Sequence, residues 1–528
     1  MRPPSLESPR WLGQNGPMGH TLGIDVGTTN AKAALVADDG TIVASASRPI
    51  PTVSDGEIAE QSPQALWDAV VGAVREVTAA APAAAGTVGA VLCASQYSST
   101  VPVDEQGNPT GNLVLYLDQR GTDHSFAIME RHPESLEMFV DHHGIPPVGG
   151  GLSLAHILHL QLDRTDLHAA TATYLEPMDF VNLRLTGRVA ATQCTMLTTQ
   201  MCDNRTIGVT EYDADLVRLA GVDADRLPPL IDIGAAVGEP LPEIAAELGI
   251  PGDAIVYAGV NDSQVGAIAT GAYRPGRAGA MIGTTSVLIE TMGRKDTDLD
   301  HEIASIPGPL GGRYVVFAEN GLGGKALEHV LANLVYASDE LADHGATDHF
   351  EALDDALRVV NAGSEGVLFL PWLAGTLAPR ADTRMRGGFL NLSLDTRRTH
   401  LVRAVVEGIC HNFAWLAPFV EAFTGEHIEE LVFGGGAARS PVWAQILADV
   451  VDRPVRTLEA PDFANARAAA LLAHHRVGTL DEGDLAGLVI IDAEFEPIAA
   501  NREAHDAIHE QFVAAFEALQ PLYHGLNS

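Results

Sequence analysis

Basic residues are scarce in this chain, cysteines scarcer, and long apolar runs absent. Its 528 residues include 32 Lys and Arg against 69 Asp and Glu, a formal net charge of -37. Such a surface repels nucleic-acid phosphates and anionic membranes, so neither is expected as a partner. An anionic ligand must then be held by local backbone dipoles or a metal ion, not by the field of the whole protein. Cys93, Cys194, Cys202 and Cys410 are scattered without a Cys-x-x-Cys pair. That spacing argues against a disulfide framework or a zinc site and suits a reducing compartment. Nowhere do 18 apolar residues run unbroken, the Ala-rich stretch 78–90 being interrupted by Pro82 and Gly86, so no membrane span is expected. Residues 1–19, rich in Pro, Ser and Gly, contain no apolar signal core and read as a loose tail. A cytoplasmic location is the expectation.

What is present suits folded domains. Hydrophobic residues make up 46% and charged residues 19%, and the length exceeds what one core supports, so two large domains are expected. LGIDVGTTNAKAAL, residues 22–35, reads as strand, turn and strand, with Gly27 relaxing the backbone at the bend. Asp39-Gly40 marks another turn before a third strand over 41–47. Ser62-Pro63 opens a helix on which Leu66, Trp67, Val70, Val71, Val74 and Val77 recur at helical spacing. Residues 86–94 read as a buried strand leading into the polar loop 95–99. Alternating strands and helices are the pattern of an α/β layer fold.

GAMIGTTSVLIE, residues 279–290, again places Gly-Thr-Thr between apolar strand segments. Two similar halves with a cleft between them are therefore expected. The Pro-Gly break in AYRPGR, residues 272–277, sets the boundary, giving domains over 20–272 and 273–528. Segments 296–312 and 337–355 read as surface excursions.

Several motifs could carry chemistry. In the turns Gly27-Thr28-Thr29 and Gly283-Thr284-Thr285, backbone amides and threonine hydroxyls can converge on phosphate oxygens. Asp25, just before the first turn, would lie beside such phosphates, where a carboxylate is useful through Mg²⁺. Lys32 either reaches phosphate or sits at the surface. Asp262 stands where the strand in DAIVYAGVNDSQVGAIATGA, residues 253–272, crosses into a helix. The field of a helix N-terminus would keep it ionised and able to accept a proton, the alternative being an ordinary capping aspartate. LVFGGGAARSPVWAQILADVV, residues 431–451, is a strand, three glycines and a helix opened by Ser440-Pro441, against which a nucleotide base or ribose can rest. It is not a dinucleotide fingerprint, because Arg439 holds the last-glycine position, and no Walker A motif exists, Lys325 preceding Ala326. His505 and His509 have zinc-protease spacing without the glutamate base and read as the solvated face of a polar helix; His156 and His159, on an apolar helix, read as packed or surface residues.

Taken together, these motifs resemble the FGGY family of carbohydrate kinases, and within it the xylulokinase-like pentulose kinases, over nearly the whole chain after residue 20. GIDVGTTNAKAAL is similar to the family's first phosphate motif, IGTTSVL to its second, GVNDSQVGAIATG to its catalytic-aspartate segment, and FGGGAARSPVWAQILADVVDRPV to its adenosine segment. RGGFLNLSLDTRRTHLVRAVVEGI, residues 386–409, resembles the second family signature.

The resemblance implies two ribonuclease-H-like domains of the actin, hexokinase and Hsp70 type. The first would bind sugar and phosphate, the second nucleotide, with ATP and Mg²⁺ in the interdomain cleft. It implies Asp262 as the base that deprotonates the sugar hydroxyl, Asp25 and Asp262 flanking the magnesium, and the two Gly-Thr-Thr turns facing each other across the triphosphate. Gly435, Gly436 and Ser440 would lie near adenosine. Asp118 and Arg120 in YLDQRG resemble the family's pair beside the polyol, a surface ion pair being the alternative. Gln96-Tyr97-Ser98-Ser99 stands where members often have Gln-Met-His-Gly, Glu176-Pro177-Met178 departs from the first signature, and Asn391 and Asn465 lie within further departures. The implied activity is ATP-dependent phosphorylation of a terminal hydroxyl of a ketopentose such as xylulose. Kinases for another sugar or polyol (ribulose, erythritol, glycerol-like), or a catalytically silent sugar or nucleotide sensor, are the alternatives, and assembly as a homodimer is left open.

Overall fold

The opening hairpin sets the pattern for the whole chain. His20–Val26 and Asn30–Ala37 pair antiparallel, with Leu22 opposite Leu35 and Asp25 opposite Lys32, and Ile42–Pro49 adds a third antiparallel strand. In the computed structural model, residues 19–339, 350 and 352–527 are described. The tail over 1–19 and the excursion over 337–355 therefore lie largely outside the described residues.

Two parallel strands and an antiparallel edge strand complete the first sheet. Its order is Ala236–Gly238, Ile255–Asn261, Val88–Ser95, His20–Val26, Asn30–Ala37, Ile42–Pro49. The Ser62 side chain caps helix Pro63–Ala80 by accepting from the Ala65 amide at 3.3 Å. That helix buries Leu66, Trp67, Val70 and Val74 against the hairpin. The second sheet repeats this plan: Arg277–Ile282 and Thr285–Met292 form a hairpin, Tyr314–Leu322 pairs antiparallel with it, and Glu430–Gly434 and Val455–Leu458 add parallel strands on the other side. Residues 296–312 are no mere surface excursion. Thr297–Asp298 and Ile303–Pro307 lie within them and extend this sheet beyond Tyr314–Leu322, with Ile303 and Ile306 buried on its two opposite faces.

Register brings the motifs to the strands' carboxyl ends. Val26 lies opposite Ser95 and Ser95 opposite Asn261, so the first turn, the 95–99 loop and Asp262 leave the first sheet at one edge. Met281 lies opposite Gly434, which places the second turn beside the glycine run in the same way.

Two helices join the sheets. Asp262–Thr270 leaves the first sheet and packs Gly266 against Ile289 of the second. Ala464–Arg476, from the second half of the chain, lies on the first sheet, where Ala34, Val36, Leu92, Val265, Ile268, Ala469 and Leu472 form one shared core. At Gly23 that helix leaves no room for a side chain: a Cβ would stand 1.9 Å from the Ala466 carbonyl and 2.7 Å from the Ala470 nitrogen.

The C-terminal helix Arg502–Leu526 also departs from its reading. His505 is buried and its ring stands 5.7 Å from that of His411, with His509 at 5.5 Å on the same ring. The helix docks Phe512 and Phe516 onto Trp372 and Trp415, and this carries the two histidines inward with them. His156 and His159 are packed, and all four cysteines are buried and free. No helix among the described residues is long and apolar enough to cross a membrane.

Glu176, which precedes helix Pro177–Thr186, fixes the 95–99 loop. It is buried and accepts from the Ser99 amide at 3.1 Å, the Ser153 hydroxyl at 2.5 Å and the Thr198 hydroxyl at 3.2 Å. Burial nevertheless pushes its carboxyl up to about 8. A raised folded-state value means that stability is full below the ordinary 4.5 and is lost as pH rises towards about 8.

Glu176→Gln, neutral throughout, should gain stability relative to the parent by of order 2–4 kcal/mol between pH 5 and pH 8. Thermal melts at the two pH values check this, and a difference independent of pH would contradict it. Gly23→Ala should destabilise by about 3 kcal/mol or more, because backbone rather than a flexible side chain blocks the new methyl group. A melting temperature equal to the parent's would show that the helix can withdraw.

Candidate active site

The two turns differ in what they leave free. In the first, the Gly27 amide donates to the Asn30 carbonyl at 2.9 Å, and the Thr28 hydroxyl donates to Gln96 Oε1 at 2.7 Å and lies 3.4 Å from the Tyr116 hydroxyl. Gln61 Nε2 donates to the Thr28 carbonyl at 2.6 Å. Thr28 thus ties the turn to the 95–99 loop, while Thr29 is exposed. In the second turn, Gly283 and Thr284 are exposed, and the amides of Gly324 and Gly323 brace it from behind, donating to the Gly283 and Thr284 carbonyls at 2.7 and 3.0 Å. Among the described residues the Thr284 hydroxyl has no hydrogen-bond partner.

Asn261 settles the role of its neighbour. Its side chain accepts from the Gln264 amide at 2.8 Å, and the Gln264 side chain accepts from the Asn261 amide at 3.0 Å, so the cap of helix Asp262–Thr270 is Asn261. Asp262 is left free of the cap, half-buried, with only its neighbour Ser263 on its carboxylate, through the amide and through the hydroxyl at 3.5 Å. Its carboxyl is pushed up to about 7 by burial and then by the charge of Asp25. Burial and the Asp25 charge thus act against the helix N-terminus at this carboxylate.

Asp25 is buried with no hydrogen-bond partner among the described residues; burial raises its carboxyl, and Lys32, directly across the hairpin, partly offsets this. Two carboxylates that each resist ionisation, one of them raised by the other's charge, form an oxygen donor set that fits a hard divalent cation such as Mg²⁺.

The glycine run serves packing as well as any ligand. Gly435 has φ +83°, and a Cβ there would stand 2.4 Å from the Ile282 carbonyl, so it seats the loop against the strand that leads into the second turn. At Gly436 the nearest atom to a Cβ, outside its chain neighbours, is Arg439 Nη2 at 3.8 Å, which leaves that face open. The Ser440 hydroxyl accepts from the Trp443 amide at 3.0 Å and donates to Asp354 at 2.5 Å, so it is spent on capping helix Pro441–Val451.

Tyr97 bridges the two sheets. Its ring meets Phe317 of the second sheet edge-on at 6.3 Å, Asp262 and Glu319 are the charges that act on it most strongly, and Ser263 stands beside its hydroxyl. Asp118 and Arg120 are drawn elsewhere. Asp118 is fully buried and accepts from the Ala59 amide at 3.0 Å and from Arg120 Nη2 at 2.7 Å, while Arg120 also holds Glu60 at 2.6 Å. This is a buried brace, not a surface pair; Arg120 lines a hollow of about 280 Å³ with Asn112, Leu160 and Arg164, to which neither Tyr97 nor Asp262 contributes.

Sequence reasoning did not single out Tyr116, Gln61 or Glu319. Glu319 is half-buried, and burial together with Glu302 raises its carboxyl to about 7. The one signal for it was a carboxylate inside the otherwise apolar strand YVVFAENGL.

With this geometry in place, comparison with known proteins is direct. The family model for the N-terminal domain of the FGGY family of carbohydrate kinases matches residues 20–269, and that for the C-terminal domain matches residues 278–476. The chain is 25% identical to a xylulose kinase of Bacillus subtilis over 516 residues, 97% of this chain and 99% of that protein. It is 24% identical to a gluconokinase of the same organism over 470 residues, 88% of this chain and 89% of that protein. Its fold matches the crystal structure of a ligand-bound xylulose kinase from Lactobacillus acidophilus with a TM-score of 0.83 at 20% identity, covering 96% and 99% of the two chains. The chain therefore belongs to the FGGY family of carbohydrate kinases and is an ATP-dependent phosphotransferase that acts on a sugar.

Proposed function

We propose that the protein transfers the terminal phosphoryl group of ATP to a terminal hydroxyl of a ketopentose such as xylulose, with Asp262 as general base. The observation that carries this reading is the Asp262 carboxylate, relieved of capping by Asn261 and raised to about 7, the range in which a base serves best near neutral pH. The sugar lies between Tyr97 and Asp262, and its hydroxyl oxygen forms the new bond to phosphorus. Asp262 takes the hydroxyl proton, and the bond from phosphorus to the bridging oxygen of ADP breaks.

The free amides and hydroxyls of the two Gly-Thr-Thr turns receive phosphate oxygens, and the open face at Gly436 takes the nucleoside. Asp25 and Asp262 would hold Mg²⁺, which when bound offsets phosphate charge that the acidic protein cannot. Because helices Asp262–Thr270 and Ala464–Arg476 join the two sheets, closure about them would exclude water that competes with the sugar as acceptor. A ketopentose is favoured over other sugars by the overall likeness to xylulose kinases, and a different sugar or polyol is the second reading because a gluconokinase is almost as similar.

Sugar-dependent ADP release across D-xylulose, D-ribulose, erythritol, glycerol and D-gluconate should be fastest with a ketopentose; release that no sugar accelerates would overturn the kinase reading of this site. Asp262→Asn should lower kcat by about 100-fold to 10,000-fold with ATP affinity within a few-fold of the parent, and parent-like turnover would refute the base. Gly436→Val should raise KM for ATP at least about tenfold without moving Tm, since the added side chain meets no packed backbone. An unchanged KM would place the nucleoside elsewhere.

A further inference from the structure

Glu319 has no part in the phosphoryl transfer proposed above, yet its carboxylate acts, together with Asp262, on both Tyr97 and Tyr116. Along strand Tyr314–Leu322, Val316, Ala318 and Asn320 are buried in the second domain, whereas Phe317, Glu319 and Gly321 are partly open on the other face. Phe317 packs against Tyr97, so Glu319, two residues on and on the same face, points towards the sugar loop.

The strand cannot roll to hide it. Glu319 pairs with Val287, its carbonyl accepts from the Ala378 amide at 3.1 Å, and Asn320 exchanges hydrogen bonds of 2.8 and 2.6 Å with Asn412 on the buried side. Among the described residues the Glu319 carboxylate has no hydrogen-bond or ion-pair partner. A half-buried carboxylate without a partner is costly unless something arrives to satisfy it.

The surroundings restrict what can arrive. The charged groups that act on Tyr116 are Asp262 and Glu319, those acting most strongly on Tyr97 are Asp262, Glu319 and Glu176, and the one acting on Glu319 is Glu302. All are carboxylates. The guanidinium of Arg120 is already shared between Asp118 and Glu60. Hydroxyl donors are welcome here and a second carboxylate is not.

We propose that Glu319 is a specificity-determining residue that accepts hydrogen bonds from the hydroxyls of an uncharged ketose or polyol and turns away sugar acids. This deepens the reading in which the sugar lies between Tyr97 and Asp262, and rests on it. A carboxylate-bearing sugar held near Glu319 would lose of order 100-fold in affinity relative to its neutral counterpart.

The test uses the full chain, with D-xylulose as neutral probe and D-gluconate as acidic probe. Calorimetric binding without ATP reads the pocket apart from turnover. Glu319→Ala should weaken D-xylulose at least about tenfold, and Glu319→Gln should raise the ratio of D-gluconate to D-xylulose kcat/KM at least about tenfold, mainly through KM. Circular dichroism and melts of both variants should match the parent. Folded variants with parental D-xylulose affinity and a parental substrate ratio would overturn the proposal. Failure of the underlying reading would show separately, as undiminished turnover in Asp262→Asn.

Discussion

Everything in the cleft depends on how closely helix Ala464–Arg476 approaches strand His20–Val26. Contact is backbone against strand at Gly23, where any side chain would strike the Ala466 carbonyl. Thr21 adds a hydrogen bond to the Ala470 carbonyl at 2.8 Å, and the His474 ring lies 3.2 Å from the Val36 carbonyl oxygen. A helix from late in the chain thereby becomes part of the first sheet's core. Its partner across the same core is Asp262–Thr270, whose first residue is the proposed base. Because the two helices pack in one core, the position of Asp262 is tied to that of Ala464–Arg476.

Charge is the second organising constraint. The chain is strongly acidic as a whole, and Asp25, Asp262 and Glu319 gather beside the two turns, with Lys32 acting on Asp25 alone among them. Raising a carboxyl from 3.8 to about 7 requires about 4 kcal/mol against the ionised form. A helix N-terminus returns about 1 kcal/mol, so burial and the neighbouring carboxylate win. An anionic nucleotide cannot be drawn in by such a field. On the proposed reading it is met by amide dipoles in tight turns and by a cation it shares with the carboxylates, and the hairpin ends and the paired aspartates do occur at the same edge.

Much of this was legible in the sequence where function rests on local chain geometry. Gly-Thr-Thr at two hairpin ends, Ser62-Pro63 at a helix start and a carboxylate at a strand-to-helix crossing are short-range patterns. What escaped was tertiary. Asn261 and Asp262 are both competent caps, and only the hydrogen bonds to Gln264 decide between them. Glu319 hides in an apolar strand because its significance comes from Phe317 meeting Tyr97 across the domains. His505 and His509 read as solvated because their helix is polar in composition, yet the aromatic residues that dock it turn that face inward. Asp118 and Arg120 have the residue types for a polyol, but each is spent on the other and on Ala59 and Glu60.

The two ends of the cleft are built from different materials. The groups proposed to face the phosphates are mostly main chain: amides in two turns, braced by Gly323, Gly324 and Gly435, whose positions depend on strand register and on the absence of side chains. The groups proposed to face the sugar are side chains: Tyr97 and Glu319, on a loop held by Glu176 and on one strand face. Main-chain geometry survives extensive substitution as long as the fold does, whereas a pocket made of side chains changes with each replacement. On the proposed reading this division suits relatives that share about a quarter of their residues with the chain yet are named for different sugars. It also locates the identity of the substrate in a handful of side chains at one end of an otherwise common frame.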